Sequence, residues 1–410
     1  MSAGMVIIGA GEAGVRAAVT LRQQGWSGAI TLLGEEPHAP YERPPLSKDY
    51  LTGAHDDLVD IGGSGQFSEL DINFRPSVTV EAIRREDKTL LTRDGETLHY
   101  DKLLLATGAS ARRIRIPKVP DPSILLLRSA GDSDRIRERM REGLNVVVVG
   151  GGFIGLEVAA SLRSQGAEVH VLELQDELMK RAVPAPLAGL MRQTHLDRGV
   201  HIHLGTRVDD VNTRHDRRML TLSDGETIQA DMIIAGIGAA PSTGLAESAG
   251  LQIDNGIAVD AGMRTEDPDI FAAGDCCSFP HPLYDHTRIR LESWRCAQEQ
   301  GEVAASNMLD QDVTYTKAPW FWSDQFDLGL QIVGMPDQGS EVIVRETGER
   351  ALLQFNLRSD GSLAGAAGVA PGNTIARDIK VCERLINRGI KPDPQVLADP
   401  EAPLKPLLKG

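Results

Sequence analysis

Two glycine-rich turns constrain the fold of this chain more than any other feature of its sequence. The first, with Gly9, Gly11 and Gly14, lies between an apolar run predicted as a buried strand and an Ala-rich helical stretch. A second predicted strand, 29–33, leads to Glu35, 21 residues past Gly14. This order is the dinucleotide-binding fingerprint, in which the glycines and the helix N-terminus receive a pyrophosphate and the acid binds a ribose hydroxyl.

The same pattern occurs a second time. Gly150, Gly152 and Gly155 follow the predicted strand 145–149, and Glu173 comes 18 residues after Gly155. One such match is weak evidence. Two matches, each with its strand, helix and acid, predict two nucleotide-binding domains.

A less obvious repeat supports a duplication. Residues 94–109 match 224–239 at a constant offset, and both segments begin with Asp-Gly-Glu-Thr. Each predicts a hairpin turn, a strand, a short link and a buried strand that ends in glycine. The two halves therefore suggest one domain for a flavin nucleotide and one for a nicotinamide nucleotide.

Composition restricts the class of protein further. The 410 residues include 43 basic and 58 acidic side chains, which gives a net charge of −15 at pH 7. Nucleic acids and anionic membranes need a cationic face, so we expect neither as a partner. Four cysteines are too few for a disulfide scaffold. The first residues lack the basic and long apolar segments of a secretory signal, and we expect a cytoplasmic protein.

The C-terminal part has a different pattern. The segments 341–345, 352–357 and 364–369 are short strand-like runs, and 375–387 predicts a helix with Gly389 beyond its end. We expect a domain that mixes strands and helices.

Several motifs resemble those of two-dinucleotide-binding flavoprotein reductases. The segment Thr265 to Asp275 resembles their second FAD signature, and Ala106-Thr-Gly108 resembles the exit from their FAD domain. Tyr41-Glu-Arg-Pro-Pro-Leu-Ser-Lys48, Glu292-Ser-Trp294 and Pro319-Trp-Phe-Trp-Ser-Asp-Gln325 narrow the resemblance. Essentially end to end, the chain is similar to oxygenase-coupled, NADH-dependent ferredoxin reductases.

This resemblance implies an α/β fold of the glutathione-reductase-like kind. It has two Rossmann-like dinucleotide-binding domains and a C-terminal α+β domain. The FAD domain would be discontinuous, with residues 1–112 and 243–318. The NAD domain would span 113–242, and the C-terminal domain 319–410.

The resemblance also implies the residues that bind the cofactors FAD and NADH (NAD+). They are Gly9, Gly11, Ala13, Gly14, Glu35, Arg43, Lys48, Val80, Ala106, Gly108, Arg128, Gly150, Gly152, Ile154, Gly155, Glu157, Glu173, Gly238, Gly274, Asp275, Glu292 and Trp294.

Lys48 and Glu157 are the predicted catalytic residues, on the same resemblance. The lysine would lie near flavin N5 and the glutamate near the nicotinamide, where a charged pair would favour the reduced flavin and orient the ring. Taken alone, the sequence fits a surface lysine and a helix-start acid equally well. Glu173 should select NADH over NADPH, because it would repel a 2′-phosphate and no arginine follows in 174–177.

Two further interpretations concern side chains outside the cofactor motifs. Arg288, Arg290 and Arg295 flank Trp294 and could form a docking patch for an acidic protein, or could be solvated. Cys276 and Cys277 are adjacent, and a bridge between them would be strained, so we expect no redox role.

The histidines give no metal site in this interpretation. His201 and His203 share a face of a predicted strand, but no third ligand is near them, so we expect no metal. His281 and His286 lie in a Pro-rich segment and should be solvated.

The implied function is NADH:ferredoxin oxidoreduction, with electrons passed one at a time to a 2Fe–2S ferredoxin that serves a Rieske oxygenase or a cytochrome P450. The enzyme would be a monomer or a homodimer. Alternatives are a rubredoxin reductase, a small-molecule reductase of the monodehydroascorbate type, and a redox-responsive interaction protein like apoptosis-inducing factor.

Overall fold

A computed structural model of the chain describes residues 4–62, 64–116, 118–119, 123–214 and 217–409. Its elements fall into two units. The first comprises the residues up to Glu42, Leu58–Ser110 and Ala240–Pro319, and the second comprises Arg43–Asp57, Ala111–Ala239 and the residues from Trp320 onward. None of the helices in these ranges is both long and apolar enough to span a bilayer.

The strands are β1 (Gly4–Ile8), β2 (Ile30–Leu33), β3 (Asn73–Arg75), β4 (Val80–Arg84), β5 (Thr89–Thr92), β6 (Thr97–Leu105), β7 (Ala109–Ala111), β8 (Ile124–Leu125), β9 (Asn145–Val149), β10 (Glu168–Glu173), β11 (His201–Leu204), β12 (Val208–Arg214), β13 (Arg217–Leu222), β14 (Thr227–Ala230), β15 (Met232–Ala235), β16 (Ala239–Pro241), β17 (Ile257–Ala258), β18 (Ile270–Ala272), β19 (Cys277–His281), β20 (Thr287–Ile289), β21 (Trp320–Gln325), β22 (Leu328–Gly334), β23 (Glu341–Gly348), β24 (Ala351–Leu357) and β25 (Leu363–Pro371). The helices are α1 (Glu12–Gln23), α2 (Asp49–Thr52), α3 (Ala130–Arg137), α4 (Phe153–Ser164), α5 (Ala185–Asp197), α6 (Gly244–Ser248), α7 (Trp294–Met308), α8 (Ala376–Asn387) and α9 (Pro394–Ala398).

The first unit is built on a sheet with the strand order β3-β2-β1-β6-β5-β4, in which β18 also pairs with β6. Strands β1, β2, β3, β6 and β18 are parallel, whereas β4 and β5 extend the sheet in antiparallel fashion. All five residues of β1 are buried, as expected for a parallel strand covered on both faces.

The second unit repeats this plan. Its parallel sheet has the order β11-β10-β9-β15-β8, so β9 occupies the place that β1 has in the first unit. Both glycine-rich turns therefore follow a central strand of a parallel sheet, which is where such folds bind ligands. The predicted α/β class with two Rossmann-like halves is confirmed.

The residues after Trp320 form an antiparallel sheet, β21-β22-β25-β24-β23, which packs against α8. The three predicted strands and the helix are present as β23, β24, β25 and α8. The hairpin of β21 and β22 was not predicted. Its connection is Phe326-Asp327, with Phe326 at a φ of +54°, so it lacks the glycine that usually marks a two-residue hairpin.

Two further expectations need correction. The repeat at 94–109 continues as one nine-residue strand, β6, where a short link was predicted; a register shift in its pairing with β1 absorbs the extra residue. His281 is fully buried at the end of β19, not solvated, because its ring packs among Phe279, Tyr284 and Tyr315. His286 is exposed as expected.

Candidate functional site

The glycine turn of the first unit is closely packed at both ends and open in its middle. A Cβ on Gly9 would lie 2.1 Å from the Ala106 carbonyl oxygen, and one on Gly14 would lie 1.9 Å from the Gly9 carbonyl oxygen. No described atom lies within 4 Å of a Cβ on Gly11. Because Gly11 precedes α1 and has no side chain to cap it, the first N–H groups of this helix are available to an anion. This geometry fits a pyrophosphate.

Two predicted FAD acids follow strands of the same sheet. Glu35 is exposed, two residues after β2, and Asp275 is half-buried, three residues after β18. Carboxyl ends of parallel strands meet at one edge of a sheet, so the two positions suit a ligand lying along that edge.

Glu12, which the sequence interpretation did not select, begins α1 and accepts a hydrogen bond from Gln298 at 2.6 Å. Burial raises the pKa of Glu12.

Other predicted FAD residues of this unit are structural at least in part. Ala13 is buried. A Cβ on Gly274 would lie 3.3 Å from the Ala13 Cβ, and a Cβ on Gly301 would lie 2.4 Å from the Ala13 carbonyl oxygen. Val80 and Ala106 are also buried, and Gly108 has a φ of +67°. Their contacts with FAD remain predictions.

Helix α7 begins at Trp294, and Ser293 is its N-cap. The Trp294 side chain is half-buried, while Glu292 is exposed and accepts a hydrogen bond from Arg290 at 2.5 Å. Glu292 lies directly before the helix and Trp294 in its first turn.

The three arginines near Trp294 are not a row of solvated cations. Arg288 lies 3.6 Å from Asp254, Arg290 2.5 Å from Glu292, and Arg295 3.1 Å from Glu299. The Arg290 side chain is only 11% exposed. These internal ion pairs weaken the hypothesis that the three arginines dock an acidic partner.

The glycine turn of the second unit repeats the geometry of the first. A Cβ on Gly150 would lie 2.4 Å from the Gly236 carbonyl oxygen, and one on Gly155 would lie 2.1 Å from the Gly150 carbonyl oxygen. A Cβ on Gly152 would meet only that Gly236 oxygen, at 3.9 Å. Gly152 precedes α4, so the helix start is again available to a pyrophosphate. Ile154, in the first turn, is 47% exposed.

Glu173 is held in place by the same turn. One carboxylate oxygen accepts a hydrogen bond from the Gly151 N–H at 2.7 Å, and the other accepts from the Gln175 N–H at 2.8 Å. Each carboxylate oxygen has a further acceptor position. The carboxylate is therefore already oriented in the absence of a ribose, which suits an acid that accepts a hydrogen bond from a 2′-hydroxyl.

Lys48 and Glu157 form an ion pair. The Lys48 Nζ lies 2.8 Å from Glu157 Oε2, and the glutamate side chain is only 4% exposed. Ser47 donates to the same oxygen and Ser323 to Oε1, both at 2.6 Å. Three donors from two separate parts of the chain, residues 47–48 and residue 323, therefore converge on one buried carboxylate.

The network continues away from Lys48. Gln325 Nε2 donates to Ser323 Oγ at 3.1 Å, and its Oε1 lies 2.9 Å from Nε2 of the buried His195. Burial lowers the pKa of His195 to about 4. Ser47, Ser323, Gln325 and His195 were not selected from the sequence.

Three predicted cofactor residues of the second unit lie outside this network. The Arg43 side chain donates a hydrogen bond to the Arg128 carbonyl oxygen. The backbone N–H of Arg128 donates to the Asp132 carboxylate at 2.9 Å. Gly238 has a φ of +95°, and its carbonyl accepts from the Arg112 N–H at 2.9 Å. Their roles remain predictions.

All four cysteines are unbridged and buried. Desolvation raises the pKa of Cys276 and of Cys277, and raises that of Cys382 far above its ordinary value. A buried thiol with a raised pKa is a poor nucleophile. The cysteines therefore do not offer a thiolate relay for electrons.

The fold and the two glycine turns define a two-dinucleotide oxidoreductase, and comparison with known proteins supports this. Residues 4–301 match the family described as pyridine nucleotide-disulphide oxidoreductase, and residues 320–408 match the family described as reductase C-terminal. The chain belongs to the pyridine nucleotide-disulphide oxidoreductase family, whose cofactors FAD and NAD(H) it uses.

The most informative relatives match almost the whole chain. It is 38% identical over 405 residues to the anthranilate 1,2-dioxygenase system ferredoxin–NAD(+) reductase component of Burkholderia cepacia, covering 98% of both proteins. It is 36% identical over 403 residues to rhodocoxin reductase of Rhodococcus erythropolis, covering 98% of this chain and 93% of that one. Among solved structures, the covalent putidaredoxin reductase–putidaredoxin complex matches with a TM-score of 0.92 and 32% identity, covering 100% of this chain and 98% of that one.

Proposed function

We propose that this protein is an NADH-dependent ferredoxin reductase that supplies single electrons to a 2Fe–2S ferredoxin of an oxygenase system. The observation that carries the proposal is the burial of all four thiols in a member of a disulphide oxidoreductase family. Without a thiol relay, electrons would leave directly from the flavin to the acceptor. The names of the relatives, two of them reductases with a protein partner, support the same activity.

The residues of the two units would divide the work. In the first unit, Gly11, Glu35 and Asp275 would hold FAD, and in the second, Gly152 and Glu173 would hold NADH. When bound, FAD accepts two electrons from NADH and can release them singly. Lys48 would hold a fixed positive charge toward the flavin, and Glu157 would orient that lysine and the nicotinamide.

The finer assignments rest on the same proposal. The partner would be a 2Fe–2S ferredoxin of a Rieske oxygenase or a cytochrome P450, and the enzyme a cytoplasmic monomer or homodimer. Residues 1–112 and 243–318 would form the FAD domain, 113–242 the NAD domain and 319–410 the C-terminal domain. The segment Arg43–Asp57 belongs to the second unit, so the ion pair between Lys48 and Glu157 lies within that unit.

The test is steady-state NADH oxidation coupled to cytochrome c reduction, with and without an added 2Fe–2S ferredoxin. We expect large, saturable stimulation by ferredoxin, and exchanging ferredoxins would then identify the partner. No stimulation by several ferredoxins, together with fast turnover of quinones or radicals, would indicate a small-molecule reductase. Slow turnover with every acceptor and a stable charge-transfer complex would indicate a redox-responsive interaction protein.

A further inference from the structure

A group of metal-ligating side chains lies in the second unit. It consists of His203 on β11 and Asp224 and Glu226 in the turn between β13 and β14, and we call it the His203 cluster. One ligand atom from each residue lies within 4.8 Å of the other two, and His203 Nδ1 is 3.4 Å from Glu226 Oε2. The His203 side chain is 12% exposed, so the imidazole is fixed while both carboxylates reach solvent.

The geometry is close to that of a bound ion. In a tetrahedral Zn²⁺ site with bonds of about 2.0–2.2 Å, two ligand atoms lie roughly 3.4 Å apart. The ligand atoms of the His203 cluster lie within 4.8 Å of one another and would have to approach by up to about 1.4 Å, which rotation of the exposed carboxylate side chains provides. Asp224 Oδ1 already accepts the Glu226 N–H at 2.9 Å, which leaves Oδ2 for an ion.

A second histidine orients the first. His203 Nε2 lies 3.1 Å from Nδ1 of His170 on β10, and His170 is in turn stacked on His201 with ring centroids 4.6 Å apart. When His203 Nε2–H donates to His170, the lone pair of His203 Nδ1 faces the two carboxylates. Metal-binding histidines commonly donate their other N–H in this manner.

The internal duplication allows the position of His203 to be compared with the equivalent position in the first unit. In the first unit, the Gly9 N–H donates to the Leu33 carbonyl oxygen, and Leu33 on β2 lies opposite Arg75 on β3. In the second unit, the Gly150 N–H donates to the Leu172 carbonyl oxygen, and Leu172 on β10 lies opposite His203 on β11. Arg75 and His203 therefore occupy equivalent positions in the two sheets. In the first unit, Arg75 lies 2.5 Å from Glu96 of its own Asp-Gly-Glu turn.

The second unit differs at the equivalent position, where His203 stands in place of the arginine. Among the side chains that the structure describes, no lysine or arginine forms an ion pair with Asp224 or Glu226. Their two negative charges lie beside the His203 imidazole, and a divalent cation would neutralise these charges.

We propose that His203, Asp224 and Glu226 bind a divalent first-row transition-metal ion, for which Zn²⁺ is the reference. His203 would contribute Nδ1, each carboxylate one oxygen, and water the remaining position. The ion would tie β11 to the β13–β14 turn at a site independent of the proposed redox function. No metal was expected from His201 and His203 in sequence, because the further ligands come from a turn 21 residues beyond His203.

The test uses the FAD-loaded protein after treatment with EDTA and desalting. Zn²⁺ affinity is measured by competition with a chromogenic chelator, and Co²⁺ is added separately to record ligand-field absorption. We expect one equivalent to bind, and His203→Gln and Glu226→Gln each to weaken Zn²⁺ binding by about tenfold or more. His201→Gln, on the same strand and outside the His203 cluster, is the matched control and should change it less than about twofold.

Each outcome decides the proposal. Loss of the Co²⁺ absorption in His203→Gln but not in His201→Gln supports it, provided that thermal unfolding shows both variants folded. If His203→Gln fails to fold, Glu226→Gln supplies the comparison, because its side chain is 52% exposed. Equal weakening by His201→Gln, or binding unchanged in both His203→Gln and Glu226→Gln, would overturn the proposal.

Discussion

Glu157 is a buried carboxylate that three side chains of this fold contact. A buried carboxylate needs hydrogen-bond donors to offset its desolvation, and here Lys48, Ser47 and Ser323 supply them. Since the serines fix the carboxylate and the carboxylate fixes the lysine, removing one serine should disturb the lysine that would face the flavin.

Replacement of Ser323 by Ala should slow reduction of the flavin by NADH by about threefold to tenfold, which corresponds to the loss of one hydrogen bond. Lys48→Ala should slow it further. Stopped-flow absorbance measures the rate, and Ser164→Ala, on α4 with its hydroxyl bonded to the Ala160 carbonyl oxygen, is the control. A wild-type rate in Lys48→Ala would refute a role for the lysine, and a wild-type rate in Ser323→Ala would refute a positioning role for the serine.

Glu173 should decide between the two nicotinamide cofactors. Its carboxylate is held by two backbone N–H groups and would repel a 2′-phosphate. We expect kcat/KM for NADH to exceed that for NADPH by at least about tenfold, or roughly 1.4 kcal/mol. Glu173→Gln should reduce this ratio, whereas Asp176→Asn, which removes an exposed acid paired with Lys180, should not. Comparable kcat/KM values for the two cofactors in the wild type would contradict the prediction.

At the scale of elements, the glycines of each turn have separable duties. Gly14 allows α1 to approach the turn, and Gly11 leaves space in front of it. A Cβ only 1.9 Å from the Gly9 carbonyl oxygen cannot be accommodated without movement of the backbone.

Gly14→Ala should therefore destabilise the first unit by about 1–3 kcal/mol or more. With FAD removed from both proteins, Gly11→Ala should have the same free energy of unfolding in urea as the wild type. It should bind added FAD more weakly, because the new methyl group occupies the open space. Urea unfolding and fluorescence titration with FAD measure the two effects. If Gly11→Ala binds FAD with wild-type affinity, the open space at Gly11 is not the pyrophosphate site.

The elements also show what a sequence can reveal and what it cannot. Both glycine turns and the strands around them were predictable, because their residues are contiguous and the first and last glycine of each turn have a steric reason. Ser323 and Gln325 were not, since a serine and a glutamine on β21 meet Glu157 and His195 only through pairing of distant segments. The β21–β22 hairpin lacks a glycine in its turn, so the local signal that would have indicated it is absent.

At the scale of the whole molecule, two buried histidines link stability to pH. Burial lowers the pKa of His195 to about 4 and that of His281 to about 4, against 6.5 for an exposed histidine. Above pH 6.5 both are neutral in the folded and unfolded chain. As the pH falls from 6.5 toward 4, the unfolded chain takes up protons that the folded chain does not, and stability is lost.

We expect the free energy of unfolding to fall between pH 6.5 and pH 4, with up to two protons taken up on unfolding from these residues. Urea unfolding at several pH values measures the slope. His281→Gln should reduce this slope, whereas His286→Gln, at an exposed position, should leave it unchanged. An unchanged slope in His281→Gln would show that the pKa of this histidine is not lowered in the folded protein.

The burial of the four cysteines has a practical consequence. Since none of the thiols reaches solvent, a maleimide dye or spin label should react slowly with the folded wild-type protein. A single cysteine introduced on the surface would then be the fast-reacting thiol. Distances and partner contacts could be measured by labelling one chosen position, without first replacing the native cysteines.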